Sequence, residues 1–309
     1  MATLKRRKAK KTYTPRDHYQ EITDRVIAAL EQGQIPWQRP VAGINVPAYN
    51  YVSGNSYRGI NFLMLNFLST RTQRAYLSFK QAKALGGKIR KGCKAEKVYF
   101  FKVLYRDADG NKISEIKAQE LKDRGVKVLS NPFLRSTPVF NVDDVEGVDF
   151  DLPTVETFEH DPIEAAENFV DAIENGPAIE TEKGDANYYL PSTDKVVMFA
   201  RERYVSPEAY YHTLFHELTH STGHADRLNR EGITGEIKPG SAVYAREELT
   251  AEMGAAFLCA KTGVDPSIEN TAAYVGNWLQ ALKNDKMLVY KAAAQAQQAV
   301  DLLSGERRK

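Results

Sequence analysis

The chain is 309 residues long, enough for about two domains and a sizeable core, and its 42% hydrophobic and 27% charged residues exclude a wholly disordered polypeptide. No apolar run approaches the roughly 18 residues of a membrane span, and the basic N-terminal residues have no apolar stretch behind them, unlike a signal peptide. The net charge of +2 conceals an asymmetry: residues 1–140 hold 27 Lys and Arg against 10 Asp and Glu, and residues 141–309 hold 15 against 30. A basic half of this kind points to nucleic acid, or to the acidic surface of a protein, with a second unit attached. The only cysteines, Cys93 and Cys259, cannot make a disulfide framework, so a cytoplasmic protein with no membrane partner is expected.

Residues 1–16 carry seven basic side chains and no acid, and read as a disordered basic arm suited to phosphate contact. In 17–32, Tyr19, Ile22, Val26, Ile27 and Leu30 fall at helical spacing, ended by Gly33. From Pro36 to Phe140 short apolar runs alternate with Gly, Pro and Asn. Residues 98–105 are the clearest strand, and Asp109-Gly110 is a hairpin turn after it. Residues 17–140 thus form a small α+β domain. Residues 141–182 contain 14 acids and no Lys or Arg, and 141–160 read as an acidic linker.

The second domain, 161–309, opens with a helix capped by Asp161-Pro162 and stopped by Gly176. Residues 188–190 and 196–199 make a hairpin-like strand pair. Ser206-Pro207-Glu208 then starts a helix running to Gly223, with an N-cap hydroxyl, a first-turn proline and an acid at the positive dipole end. A second helix covers about 245–262, stopped by Gly263, and a third runs from Ser267 to Leu303, with a break within it allowed. The fold class expected for the whole is α+β.

Four of the six histidines lie at 212, 216, 220 and 224. One helix carries them on a stripe that rises about 6 Å per step, so adjacent pairs can share an ion and the whole set cannot. His216-Glu217-Leu218-Thr219-His220 selects the pair. The H-E-x-x-H spacing presents two imidazoles to Zn²⁺ from one helical face and sets a carboxylate about 100° round from the first ligand, within reach of a metal-bound water. The other pairs have Thr213 and Ser221 at that place, and neither is a base near neutral pH. The chemistry expected is metal-assisted peptide hydrolysis, with Glu217 as the catalytic base that later passes its proton to the leaving amine. His212 and His224 are read as polar neighbours rather than ligands.

A catalytic zinc site needs a third protein ligand. Asp226, six residues after His220 with Gly223 between, fits one known arrangement. Glu247, Glu248 and Glu252 compete from the next helix, where Glu248 and Glu252 share a face and Glu247 points about 100° away. Glu248 is favoured as ligand, with Glu252 accepting the Nδ1 proton of His216 or His220. Asp226 stays open as the alternative. Zn²⁺ is the expected cofactor, with Mn²⁺ or another divalent ion not distinguished by the ligands alone.

Single-strand binding needs positive charge interleaved with aromatic faces. Trp37, Arg39, Tyr57, Arg58 and Lys80, then Lys88, Arg90, Lys91 and Lys94, supply both and are the candidate DNA-binding residues, although at least half of the domain's aromatics are expected in the core. No zinc-finger or helix-turn-helix signature for duplex DNA is present.

Several of these segments carry a resemblance. Pro36-Trp37-Gln38, Tyr57-Arg58-Gly59-Ile60-Asn61, Phe79-Lys80-Gln81 and the run from Gly86 to Gly92 resemble the N-terminal domain of ArdC-type antirestriction proteins. The stretch from Phe215 through His224, Arg227-Leu228, and the stretch from Tyr244 to Glu252 are similar to the second half of the same family. The resemblance implies a single-stranded-DNA-binding domain fused to a zincin-like metallopeptidase domain, carried on conjugative plasmids and protecting incoming DNA from the recipient's restriction enzymes. It carries over His216, His220 and Glu248 as metal ligands and Glu217 as base. Asp226 departs from the family pattern, which has a small polar residue there. Single-stranded DNA and an unidentified protein or peptide substrate are the partners implied. Two alternatives stand beside this reading. One is a DNA-coating module with a structural or vestigial metal site. The other is a regulatory zinc protease whose basic half recruits a protein.

Overall fold

A computed structural model describes residues 16–32, 34–38, 47–69, 71, 73–152, 162–182, 186–235, 241–265 and 272–306. Residues 1–15 of the basic arm, Arg39 and residues 153–160 of the acidic linker lie outside these.

The first half opens with α1 (His18–Glu31), where the Asp17 carboxylate accepts the backbone N–H of Gln20 at 3.2 Å. There follow β1 (Tyr49–Asn50), α2 (Ile60–Phe62) with a wider π-helical turn at Leu63–Phe67, β2 (Ala75–Leu77), α3 (Phe79–Ala84) and β3 (Lys88–Ile89). Then come β4 (Glu96–Arg106), β5 (Lys112–Ile113), α4 (Glu115–Asp123), β6 (Leu129–Asn141) and β7 (Val145–Glu146). A five-stranded sheet in the order β1-β2-β6-β4-β5 is antiparallel except for the β1–β2 pair, and β3 pairs with β7.

Residues 141–146 differ from the expected linker. Val142 and Val145 are buried, and the buried Asp144 carboxylate receives the Arg71 guanidinium at 2.7 Å. The acids there neutralise basic groups of the same half while their apolar neighbours pack.

The second half comprises α5 (Pro162–Asp171), β8 (Ala178–Thr181), β9 (Tyr188–Leu190), β10 (Lys195–Met198), α6 (Pro207–Ser221), α7 (Glu231–Thr234), α8 (Ala242–Thr262), α9 (Ala272–Asn284) and α10 (Leu288–Leu303). The expected hairpin is present as antiparallel β9–β10, with β8 added parallel to β10 and β9 left at the edge. The break allowed in the helix over 267–303 falls at 285–287, between α9 and α10. Ser206 caps α6 by accepting the N–H of Ala209 at 3.2 Å, and Ser241 caps α8 by accepting that of Tyr244 at 3.1 Å.

Packing does not follow the charge boundary. Ile22, Val26 and Leu30 of α1, with Trp37, share one buried cluster with Phe215 of α6, Phe257 of α8, Trp278 of α9 and Val289 of α10. Burying those side chains against the second half is a stabilisation of about 1.5–3 kcal/mol each. Within that core, α6 and α8 approach closely. A Cβ on Gly254 would lie 2.4 Å from the Thr219 methyl, so only glycine lets the two backbones come this near. That contact holds the carboxylates of α8 against the histidines of α6.

Candidate metal centre

His216 and His220 are one turn apart on α6, and their Nε2 atoms converge to 3.1 Å. The Glu248 carboxylate of α8 faces both, Oε2 at 3.7 Å from His216 Nε2 and Oε1 at 3.7 Å from His220 Nε2. Among the described residues these three side chains form a group able to hold a metal ion. The donor set fits Zn²⁺: two nitrogens at about 2.0–2.1 Å in tetrahedral geometry stand about 3.3 Å apart, near the observed spacing. The two candidates for a third ligand differ in position: Glu248 faces both imidazoles, and Asp226 does not. Asp226 has an 89% exposed side chain and lies beside His224, whose Nδ1 accepts the Asp226 N–H at 3.2 Å.

Each imidazole is backed by its own carboxylate. Glu252 Oε1 lies 3.5 Å from His216 Nδ1. Glu247 Oε1 lies 3.1 Å from His220 Nδ1, a role not anticipated from its position 100° away from Glu248. An imidazole carries nitrogens on two edges, so neighbouring glutamates on one helix can serve both: Glu248 at Nε2 and Glu247 at Nδ1.

Glu247 is itself fixed. Arg230 donates to it from Nε at 2.9 Å and from Nη2 at 2.7 Å, and ties the end of α6 through Thr222 Oγ1 at 2.6 Å and the Thr219 carbonyl at 2.8 Å. Gly232 leaves the space that Glu247 fills, since a Cβ there would stand 2.6 Å from Glu247 Cβ. Arg230 comes from the segment between the two ligand helices, and no spacing rule in the sequence marks it.

The two imidazoles differ: burial, with His220 and His212 nearby, pushes the pKa of His216 well below its usual value, while positive charge is favoured at His220. Burial alone would lower the pKa of His220, but the Glu247 bond and the charges of Glu248 and Glu217 raise it to about 9. Such a field accepts a proton or a metal cation. Burial would raise the pKa of Glu247, yet its bonds to His220 and Arg230 hold it down at about 2. Glu217 is buried, and that burial raises its pKa against the opposing pull of His220 and of the Tyr189 backbone N–H. A raised carboxyl is closer to the pH at which a general base works best. His212 stands apart from the group: burial pulls it down to about 4, and among the described residues its Nε2 has no hydrogen-bond partner.

Comparison with known proteins gives the family. Residues 16–140 match the N-terminal domain of anti-restriction factor ArdC, and residues 164–295 match a zincin-like metallopeptidase domain. The crystal structures of antirestriction protein ArdC from plasmid R388, metal-free and Mn(II)-bound, each align at TM-score 0.71 and 34% identity. They cover 94% of this chain and 97% and 98% of theirs. The chain belongs to the ArdC family. An uncharacterised protein, y4eC, of Sinorhizobium fredii is 32% identical over 95% of this chain and 94% of its own length. Two Escherichia coli proteins described as DNA primase TraC are 32% and 31% identical over 92% of this chain. The chain spans only 19% and 27% of their lengths. Membership of the ArdC family, with a zincin-like domain and mixed α and β structure, is what these likenesses establish.

In this ArdC-family chain the expected DNA-binding residues divide. Trp37 is fully buried with its ring edge-on to Trp278 at 5.3 Å, and Tyr57 is buried beside Tyr76. Both are core residues and offer no face to a base. Arg58 is paired with Asp301 and, at 3.5 Å, with Glu306. Lys80, Lys88, Arg90, Lys91 and Lys94 are exposed, with Arg90 donating to the Asp143 carbonyl at 2.8 Å. No helix among the described residues is long and apolar enough to cross a membrane.

Proposed function

We propose that this protein binds single-stranded DNA through its basic half and protects incoming conjugative DNA from host restriction with a zinc-dependent peptidase centre. His216, His220 and Glu248 would hold the metal, which supplies Lewis acidity toward water and the scissile carbonyl. Glu217 takes a proton at its carboxylate and returns it to the leaving amine nitrogen. Burial, by raising its pKa, suits it to both transfers. Glu247 and Glu252 orient the imidazoles from behind. Beside Glu217, to which the Tyr189 N–H is directed, β9 stands at the edge of its sheet, where an extended peptide can lie along it.

The observation that carries this reading is the convergence of the two Nε2 atoms on Glu248 with a separate carboxylate behind each ring. A site that only stabilised the fold would need a fourth protein ligand, and among the described residues the group has three. The test is conjugal transfer of unmodified DNA into a restricting recipient, with the chain carrying Glu217→Gln. Loss of protection with metal binding intact supports the peptidase reading. Undiminished protection would assign the function to DNA coating alone.

A further inference from the structure

We infer that single-stranded DNA lies across one face of the β4–β6 ribbon, stacking bases on Phe100 and Phe133 and placing phosphates on Lys102 and Arg135. The inference rests on the single-strand reading above and gives it a location. The ribbon is a continuous antiparallel pairing of Glu96–Arg106 with residues 129–139. At its base both faces are covered, with Val98 and Tyr99 buried. One residue further on both faces open, and Phe100 is 45% exposed. Side chains alternate along a strand, and directly paired residues share a face. Phe100 opposite Arg135 and Lys102 opposite Phe133 therefore form two consecutive rungs on one side of the ribbon.

The result is a small checkerboard, a ring facing a cation in each rung and the rings on the diagonal. Phe133 is 44% exposed, and Lys102 and Arg135 lie at the surface. Neither cation is paired with a carboxylate among the described residues, and residues 98–106 and 129–137 contain no Asp or Glu. On the opposite face Phe101 is 52% exposed but pairs with the buried Leu134, and the Lys122 ammonium of α4 covers the Tyr105 ring at 5.2 Å, so rings alternate with open cations on the first face and not on this one.

The chemistry selects the ligand. Bare ring faces beside unpaired cations match a strand of bases and phosphates, because bases stack on aromatics while phosphates pair with Lys and Arg. The spacing selects the form. Diagonal neighbours on a sheet lie about 7–8 Å apart, roughly twice the 3.4 Å rise of stacked bases in a duplex. Two bases can reach both rings only if the strand between them is stretched, which a single strand allows. The excess of basic residues in 1–140 draws the polyanion to this half.

The experiment is fluorescence anisotropy of the full chain with labelled oligo-dT, an abasic strand of equal length and a duplex, across a salt series. The native chain is expected to favour oligo-dT over the abasic strand. Phe100→Leu with Phe133→Leu should weaken oligo-dT binding about tenfold or more and abolish that preference. Phe100→Tyr with Phe133→Tyr should retain it, which separates ring loss from misfolding. Lys102→Ala with Arg135→Ala should lower the slope of log affinity against log salt by about 1.4. A leucine variant that binds and discriminates like the native chain overturns the location and leaves single-strand binding standing. A native chain that binds neither single strand, or prefers the duplex, overturns the single-strand reading and the location with it. Displacement by poly-glutamate at the same concentration as oligo-dT would assign the face to an acidic protein instead.

Discussion

Arg230 grips Glu247 through two guanidinium nitrogens, and the pair lies buried directly behind His220. Removing one partner of a buried pair leaves an uncompensated charge, at about 3–5 kcal/mol. Arg230→Met should therefore lower the unfolding midpoint sharply. Glu247→Gln keeps an acceptor oxygen but loses the charge behind the imidazole, and metal affinity should fall about 10–100-fold. Thermal unfolding measures the first effect and competition with a chelator the second.

The contact of Gly254 with Thr219 sets the distance between the ligand helices. Gly254→Ala overpacks this contact at a cost of about 1–3 kcal/mol and should weaken metal binding by moving Glu248 and Glu252 off the histidines. Thr219→Ala removes the atoms at 2.4 and 2.5 Å, leaving only Cβ at 3.0 Å, so the double variant should recover much of both losses. A double-mutant cycle on stability and metal affinity checks the coupling. Purely additive effects would place the clash elsewhere.

His212 gives the fold a pH dependence. Its folded pKa, about 4, lies below the usual 6.5, so between these values the unfolded chain binds the extra proton. Its contribution to stability is complete above about pH 6.5 and is lost as pH falls toward 4. Between pH 7.5 and pH 5 the loss is about 2 kcal/mol. His212→Leu should remove that part of the acid sensitivity, as read from denaturant unfolding of native and variant chains at both pH values.

Trp37 is a second-half core residue supplied by the first half. Trp37→Ala should cost about 3–5 kcal/mol, seen as a lower unfolding midpoint. Trp37→Phe keeps most of the packing and should leave oligonucleotide affinity within twofold of the native value. A large loss of affinity in a stable Trp37→Phe chain would mean the indole touches DNA.

The metal helix is legible in the sequence because every part of it is local. Ser206-Pro207 sets its start, and i,i+4 spacing puts His216 and His220 on one face with Glu217 beside them. The candidate third ligand is less legible, since Asp226 and Glu248 both satisfy spacing and only the α6–α8 approach brings Glu248 to the imidazoles. Glu247 is misread when angle round the helix is judged against the metal alone, without the far edge of the imidazole. Arg230 and the Gly254 contact are tertiary and leave no period. Trp37 and Tyr57 sit among basic residues in sequence but face the core, while Phe100 and Phe133 become neighbours only once β4 and β6 pair.

The most direct test of the metal centre is anomalous diffraction from crystals of the protein loaded with Zn²⁺ or Mn²⁺. The expected result is one peak per chain, about 2.0–2.2 Å from His216 Nε2, His220 Nε2 and a Glu248 oxygen, with Glu217 beside it and not bonded to it. A peak held by His224 and Asp226, or no peak between α6 and α8, would contradict the account.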